Sequence, residues 1–233
     1  MNILVTGASR GIGAAAFALL RSTGHQVVGH STRGGGDLIA GDLADPDAPS
    51  ALWTAALERL GGRIDALVNN AGIYEGVADD APDADWHAAW ARTLTINLQA
   101  PADLSRLAIA HFREGGGGRI VNVASRAAYR GDSPQHWHYA ASKSALIGMT
   151  KTIARGYAAE QILAFAVCPG FTVSEMTEEY LQGRGGAQII ADIPLGRVAT
   201  TDEVAEAIRW LAVDAPAAAT GTVIDVNGAS YVR

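Results

Sequence analysis

The sequence predicts an α/β fold in which a doubly wound parallel sheet is flanked by helices, in a single domain spanning residues 1–233. Short apolar runs alternate with helical patterns along the whole chain, as happens when crossover helices join parallel strands that are buried on both faces. A glycine-rich turn follows the first apolar run and opens the first helical pattern, which is the context in which such turns bind nucleotides. With 48% hydrophobic residues, the chain can bury a substantial core.

The predicted strands are short, apolar and often β-branched, and they lie at residues 2–6, 26–30, 37–39, 66–69, 119–124, 163–168 and 222–226. Helical patterns fall between most of them, beginning at residues 12–22. One connection is exceptional, because only residues 31–36 separate the second strand from the third, whereas a parallel crossover usually needs a dozen residues or more. We therefore expect the helix at this point to be missing or reduced to a glycine loop.

Composition and charge exclude several classes of function. The net charge is −6 with no basic run, so nucleic acid is not an expected partner. Cys168 is the only cysteine, which excludes an internal disulfide and favours a reducing compartment. The sequence has no apolar run long enough for a membrane span, and a strand predicted from residue 2 leaves no room for a signal peptide. We therefore expect a cytoplasmic protein. We also expect no metal site, because His136 and His138 have no acidic or cysteine partner at ligand spacing.

The glycine turn contains Gly7, Gly11 and Gly13. Glycine lets a backbone approach a pyrophosphate closely, and the N-terminus of the following helix offers free N–H groups and a positive dipole end. Judged on the glycines alone, a tight strand-to-helix turn without a ligand stays possible, because glycine also relieves backbone strain there.

The end of the second strand bears on the choice of nicotinamide cofactor. An acidic residue there would hold the ribose 2′-hydroxyl of NAD, but the strand ends in His30, Ser31, Thr32 and Arg33. Arg33 and Arg10 are both placed to face a 2′-phosphate, although an exposed arginine is an ordinary surface residue. The missing carboxylate therefore predicts a preference for NADP(H), with NAD(H) possible.

Tyr139 and Lys143 are four residues apart in a helical pattern, and Ser125 lies one loop upstream. A free tyrosine has a pKa near 10, and a nearby ammonium lowers it towards the range in which general acid–base catalysis is efficient. The 18 Lys and Arg residues include only two lysines, Lys143 and Lys151, so the lysine at this position is unusual for the chain. By itself the spacing is common in helices, but it predicts a proton-transfer pair.

Seven motifs occur in order along the chain: residues 6–13 (Thr-Gly-Ala-Ser-Arg-Gly-Ile-Gly), 41–43 (Gly-Asp-Leu), 69–72 (Asn-Asn-Ala-Gly), Asn97, residues 120–125 (Ile-Val-Asn-Val-Ala-Ser), Tyr139-x-x-x-Lys143 and residues 169–170 (Pro-Gly). Over nearly its full length, the chain resembles the short-chain dehydrogenase/reductase family, whose fold is Rossmann-like. The resemblance implies an NADP(H)-dependent oxidoreductase that interconverts a carbonyl and a secondary alcohol. An NAD-dependent alcohol or sugar dehydrogenase and a non-catalytic nucleotide-sensing protein remain alternatives.

The resemblance also implies a role for each matching position. Tyr139 would exchange a proton with the substrate oxygen, Ser125 would hydrogen-bond that oxygen, Lys143 would hold the nicotinamide ribose, and Asn97 would maintain a water path. The implied cofactor-binding residues are Gly7, Ser9, Arg10, Gly11, Ile12, Gly13, Ser31, Thr32, Arg33, Asp42, Leu43, Asn70, Ala71, Gly72, Tyr139, Lys143, Pro169, Gly170, Thr172 and Ser174.

Two further expectations concern the substrate and the assembly. The resemblance implies a lid over the substrate around residues 175–193, and a homodimer or homotetramer formed through the helix of Tyr139 and the helix near residues 101–114. The partner is a small carbonyl compound or alcohol. Arg126 and Arg130 can attract an anionic substrate, although exposed surface arginines are the usual interpretation.

Overall fold

In the computed structural model, which describes residues 1–172 and 186–233, seven strands form one parallel sheet. The strands are β1 (Asn2–Val5), β2 (Gln26–Ser31), β3 (Leu38–Ala40), β4 (Ala66–Asn69), β5 (Gly118–Val123), β6 (Ile162–Pro169) and β7 (Val223–Val226). Their order across the sheet is β3-β2-β1-β4-β5-β6-β7. The predicted fold class is confirmed, and the observed ends of the strands differ from the predicted ends by at most one residue.

The helices are α1 (Gly11–Ser22), α2 (Ala48–Arg59), α3 (Asp83–Leu94), α4 (Ala100–Gly115), α5 (Ala127–Arg130), α6 (Trp137–Tyr157), α7 (Gly186–Ala191) and α8 (Thr201–Arg209). A π-helical turn, Thr95–Gln99, joins α3 to α4. Within the described part of the chain, no helix combines the length and apolar character that a membrane crossing requires.

Alternate residues of each strand pack against opposite layers of helices. Ile3 and Val5 pack in the cluster formed with α1 and α8, whereas Leu4 packs in the cluster formed with α2, α4 and α6. Because both faces of the sheet are covered, most strand positions are apolar, which is why apolar runs predicted the strands correctly.

Residues 32–37 connect β2 to β3 without a helix, as the sequence predicts. β3 pairs with the last three residues of β2, with Leu38 opposite Gly29 and Ala40 opposite Ser31. The loop therefore has to return along β2 by only two residues, from Ser31 to the level of Gly29, before β3 begins parallel to β2. A full-length crossover is unnecessary. Gly34 and Gly36, with φ angles of 66° and 57°, make this return possible because glycine adopts the left-handed region freely.

Candidate active site

A cavity of about 780 Å³ opens where the carboxyl ends of β1, β4, β5 and β6 meet. β1 and β4 are neighbours in the sheet although they are separated in sequence, and this change of strand order is where doubly wound folds bind ligands. The sequence-predicted residues that line the cavity are Gly7, Ser9, Arg10, Gly11, Ile12, Gly13, Ser31, Thr32, Asp42, Leu43, Asn70, Ala71, Gly72, Ser125, Tyr139, Lys143, Pro169, Gly170 and Thr172.

Two of the predicted site residues that the structure describes, Arg33 and Asn97, do not line this cavity. Arg33 is exposed and lies outside the wall, because the glycine loop turns the chain back towards β3 immediately after it. Asn97 is fully buried behind the wall. Ser174 lies outside the described residues, as does most of the predicted lid; only its end, α7 and residues 192–193, is described.

The glycine turn between β1 and α1 packs so tightly that side chains are excluded. Gly7 has a φ of 67°, and a Cβ on Gly13 would lie 2.1 Å from the carbonyl oxygen of Gly7. The same Cβ would lie 2.4 Å from Nδ2 of Asn70, which donates to the carbonyls of Thr6 and Gly7 at 3.0 and 3.1 Å. No side chain caps the N-terminus of α1. Its free N–H groups and the bare glycine backbone therefore fit the pyrophosphate of a dinucleotide.

His30 also lines the cavity, although the sequence analysis did not select it as a site residue. The backbone N–H of Gly7 donates to its Nδ1 at 3.3 Å, and its Nε2 lies 2.8 Å from the carbonyl oxygen of Gly41. With Nδ1 as the acceptor, a neutral ring donates from Nε2. Burial lowers the pKa of His30, against smaller raising effects of the Gly41 carbonyl and Asp42. A histidine at the end of an apolar strand was the available sequence signal.

Tyr139 and Ser125 meet in the cavity. Tyr139 lies in the first turn of α6, Ser125 follows β5, and both side chains line the cavity. Burial raises the pKa of Tyr139 to about 12, and the neighbouring hydroxyl of Ser125 lowers it only partly. The sequence-based expectation of a lowered tyrosine pKa is therefore wrong for this structure, because desolvation of the phenolate outweighs the favourable contacts.

Lys143 is buried, and its ammonium group points to the sheet. Nζ donates to the carbonyl oxygen of Val123 at 2.9 Å and lies 5.8 Å from the ring centroid of Tyr139. Burial lowers the pKa of Lys143 to about 8. The lysine is therefore held on the backbone of β5, and this position explains why its charge does not offset the burial of the tyrosine.

Asn97 connects the cavity wall to α6. It lies in the π-helical turn between α3 and α4, and such turns are frequent at functional sites. Its Oδ1 accepts from the N–H of Ile73 at 2.8 Å, while its Nδ2 donates to Oγ of Ser142 at 3.3 Å. Ser142 in turn donates to the carbonyl of Tyr139 at 2.7 Å. Asn97 thus fixes the loop after β4 and the first turn of α6 relative to each other.

Gly72 separates this support from the cavity. A Cβ on Gly72 would lie 3.2 Å from Oδ1 of Asn97 and 3.4 Å from Nζ of Lys143. The contact with Asn97 is tighter than ordinary packing, whereas the one with Lys143 is at ordinary contact distance. A side chain here would therefore press on Asn97, a group that the resemblance places in catalysis. The sequence analysis placed Gly72 at the cofactor, and the structure adds this steric reason for a glycine.

Aromatic and charged residues form the other end of the cavity. Tyr74 packs edge-on against Tyr139, with ring centroids 4.8 Å apart, and stacks on His136 at 3.9 Å. Its hydroxyl donates to Asp132 at 3.0 Å. Additional lining residues that the sequence analysis did not place at the cofactor or in catalysis are Ile73, Arg92, Ile96, Val123, Ala124, Arg126, Ala127, Arg130, Gly131, Ser133 and Phe171. Val123 and Ala124 belong to the 120–125 motif, and Arg126 and Arg130 were considered as contacts of an anionic substrate. The others lie on separate segments that no motif marked.

The fold and the site define an oxidoreductase with a Rossmann-like fold. A family model described as enoyl-(acyl carrier protein) reductase matches residues 7–229. The chain is 34% identical to 3-oxoacyl-(acyl-carrier-protein) reductase FabG of Vibrio cholerae, over 98% of this chain and 96% of that protein. It is 32% identical to acetoacetyl-CoA reductase of Rhizobium meliloti, over 98% and 97%. The chain belongs to the short-chain dehydrogenase/reductase family, and the resemblance drawn from its motifs is confirmed.

Two solved structures are similar along nearly the whole chain. The TT0495 protein of Thermus thermophilus superposes with a TM-score of 0.89 at 30% identity, covering 97% of each chain. A putative NAD(P)-dependent gluconate 5-dehydrogenase of Beutenbergia cavernae, with bound NADP, superposes with a TM-score of 0.85 at 32% identity, covering 97% of this chain and 94% of that one.

Proposed function

We propose that this protein is an NADP(H)-dependent oxidoreductase that interconverts a carbonyl and a secondary alcohol. The observation that carries the proposal is that the hydroxyl-bearing side chains of Ser125 and Tyr139 line the same cavity as the buried Lys143. Two neighbouring hydroxyl groups can both reach one substrate oxygen, which is the requirement for proton transfer combined with stabilisation of the developing charge.

The cavity wall fits a nicotinamide dinucleotide, which supplies or accepts the hydride when bound. The Gly7–Gly13 turn and the N-terminus of α1 would hold the pyrophosphate, and Asp42 and Leu43 would border the adenine. Arg10 lines the cavity and the end of β2 carries no carboxylate, so we favour the 2′-phosphorylated form. The bound NADP of the Beutenbergia cavernae protein supports this preference.

Side chains of the protein itself would transfer the proton to or from the substrate oxygen. With its pKa raised to about 12, Tyr139 keeps its proton at neutral pH and can donate it from Oη in the reductive direction. Ser125 hydrogen-bonds the same substrate oxygen and stabilises charge there. Lys143, anchored on Val123, would hold the ribose hydroxyls and thereby orient the nicotinamide.

The substrate class has two candidates among the relatives. The names of the FabG and acetoacetyl-CoA reductases indicate oxoacyl thioesters, whereas the Beutenbergia cavernae protein is named for a sugar acid. A sugar-acid substrate gains support from the arginines at the substrate end of the cavity. We further propose a homodimer or homotetramer formed through α4 and α6. The single domain and the cytoplasmic location stay predictions.

A panel of carbonyl compounds and alcohols, assayed with NADP(H) and NAD(H), tests this function. We expect turnover with NADPH, and a loss of roughly 10²- to 10⁴-fold in kcat for Tyr139→Phe. The control is the dissociation constant of NADPH, measured by fluorescence titration, which we expect to be the same in the variant and the wild type. Undiminished turnover in Tyr139→Phe, or NADPH binding without turnover of any panel member, would contradict the proposal.

A further inference from the structure

Arg126 follows Ser125 directly and lines the cavity. Its Nη1 is buried and has no hydrogen-bond partner among residues 1–172 and 186–233, the part of the chain that the structure describes. Its guanidinium carbon lies 4.7 Å from the ring centroid of Phe171, so the planar group is held over an aromatic face. Part of a permanently charged group is thus buried at the substrate end without a hydrogen bond.

The backbone holds Arg126 in place. Its N–H donates to the carbonyl of Pro169 at 2.9 Å, and its own carbonyl accepts from the N–H groups of Tyr129 and Arg130, each at 3.1 Å. These bonds tie it both to the end of β6 and to α5. Because these bonds fix the backbone of Arg126, the fold determines where its side chain lies, and the unpaired Nη1 is a consequence of that placement.

Nearby carboxylates make their contacts with other residues. Asp132 accepts from the hydroxyl of Tyr74 at 3.0 Å and from the N–H of Ser133 at 2.7 Å. Asp192 pairs with Arg130 at 2.8 Å. Burial and the neighbouring charge of Arg130 lower the pKa of Arg126, but a guanidinium stays protonated in proteins. Arg126 is half-buried, and the desolvation of its Nη1 without a bonded counter-ion carries a cost that an incoming anion would relieve.

We infer that Arg126 binds an oxyanion of the substrate, so that the natural substrate carries a carboxylate or a phosphate on the same molecule as the reacting carbonyl or alcohol. The inference rests on the proposed function and specifies its substrate class. Arg126 adjoins Ser125, and its neighbour Tyr74 packs on Tyr139, so the bound anion lies close to the reacting carbon. A guanidinium matches the geometry of either oxyanion with two parallel hydrogen bonds.

The test compares charged and neutral forms of the same substrate. The probes are an oxo acid against its methyl ester, and a ketose phosphate against the unphosphorylated ketose. In the wild-type protein we expect a clear preference for one charged member. In Arg126→Gln we expect KM for that member to rise roughly 10- to 100-fold, the range of a charge-assisted hydrogen bond, with KM for the neutral member changed less than about threefold. Arg126→Lys restores part of the preference.

Arg113→Gln is the matched control, because Arg113 is exposed, pairs with Glu160 and does not line the cavity. It should leave both members of each pair unaffected. Equal effects of Arg126→Gln on charged and neutral substrates, no wild-type preference for an anion, or an equal loss of NADPH affinity would overturn the inference. Turnover of neutral ketones without such a preference would leave the oxidoreductase proposal standing, whereas absence of all turnover would refute that proposal instead.

Discussion

The N–H of Gly7 donates a hydrogen bond to Nδ1 of His30, so this side chain connects the glycine turn to the end of β2. The opposite nitrogen lies 2.8 Å from the carbonyl oxygen of Gly41, at the start of the proposed adenine-binding loop. This neutral imidazole thus holds together two backbone segments that we assign to the two ends of the same cofactor.

Replacing His30 with alanine should weaken cofactor binding and spare the chemical step. We expect the dissociation constant of NADPH to rise roughly three- to tenfold, the value of one or two neutral hydrogen bonds, with kcat nearly unchanged. Fluorescence titration measures the first quantity and steady-state kinetics the second. His87→Ala, on the exposed side of α3, is the matched control. A fall in kcat with normal NADPH affinity would contradict a positioning role.

The buried Lys143 should leave a signature in the pH dependence of stability. Below pH 8 the folded and unfolded states both hold its proton, and the folded state bears the full cost of the buried charge. Between pH 8 and 10.5, the unfolded state holds a proton that the folded state has released, so the free energy of unfolding rises with pH. The shift corresponds to about 3 kcal/mol.

Lys143→Met should therefore be more stable than the wild type at pH 7.5, by about 2 kcal/mol after allowing about 1 kcal/mol for the lost bond to Val123. The difference should disappear as the pH approaches 10. Cys168 and Tyr139, whose pKa values burial raises to about 12, act in the opposite direction. Tyr139 does so equally in both proteins, whereas Cys168 interacts electrostatically with Lys143 and contributes a smaller difference at alkaline pH. Urea unfolding at several pH values measures it; a pH-independent difference would argue against a lowered lysine pKa.

Arg10 and Arg33 separate two explanations of cofactor preference. Arg10 lines the cavity and Arg33 does not, although the sequence predicted both. Arg10→Ala should lower kcat/KM with NADPH roughly 10- to 100-fold and leave the value with NADH within about threefold, because a charge-assisted contact to the 2′-phosphate is lost. Arg33→Ala should change neither value appreciably. The reverse result would place the 2′-phosphate over the glycine loop.

Gly13 should tolerate no side chain. Alanine there would place its Cβ 2.1 Å from the carbonyl of Gly7, and overpacking of this kind costs about 1–3 kcal/mol or more. We expect Gly13→Ala to lower the midpoint of urea unfolding and to abolish measurable NADPH binding. Gly115→Ala, in the last turn of α4 and with open space around its Cβ, is the control and should stabilise by about 0.5–1 kcal/mol. Equal stabilities of the two variants would exclude the tight turn.

Much of the fold was readable in the sequence because parallel strands buried on both faces are continuous apolar runs. β4 was predicted with its observed bounds, and the other strands nearly so. The sequence also predicted that β2 and β3 are joined without a helix. It did not show why this is possible, because the reason is the register of β3 against the end of β2, a relation between segments that local patterns do not encode.

The site divides in the same way. The sequence predicted nineteen residues of the cavity wall, most of them in the seven motifs, Gly7 and Lys143 among them. The raised pKa of Tyr139, the bridging role of His30 and the unpaired nitrogen of Arg126 were not predictable, because each depends on how deeply tertiary packing buries a polar atom. Spacing in a sequence shows which groups approach one another, but desolvation is decided by the assembled layers around them.

The brevity of β3 also bears on how the protein resists aggregation. As an outer strand, β3 presents backbone donors and acceptors that another chain can pair with, and the absent crossover helix removes a natural cover. With only the three residues Leu38–Ala40, however, it offers too short a template for intermolecular sheet growth. At the opposite margin, β7 is limited to four residues, Val223–Val226. The short edge strands therefore protect the sheet against edge-to-edge polymerisation without the need for another element to cover its edges.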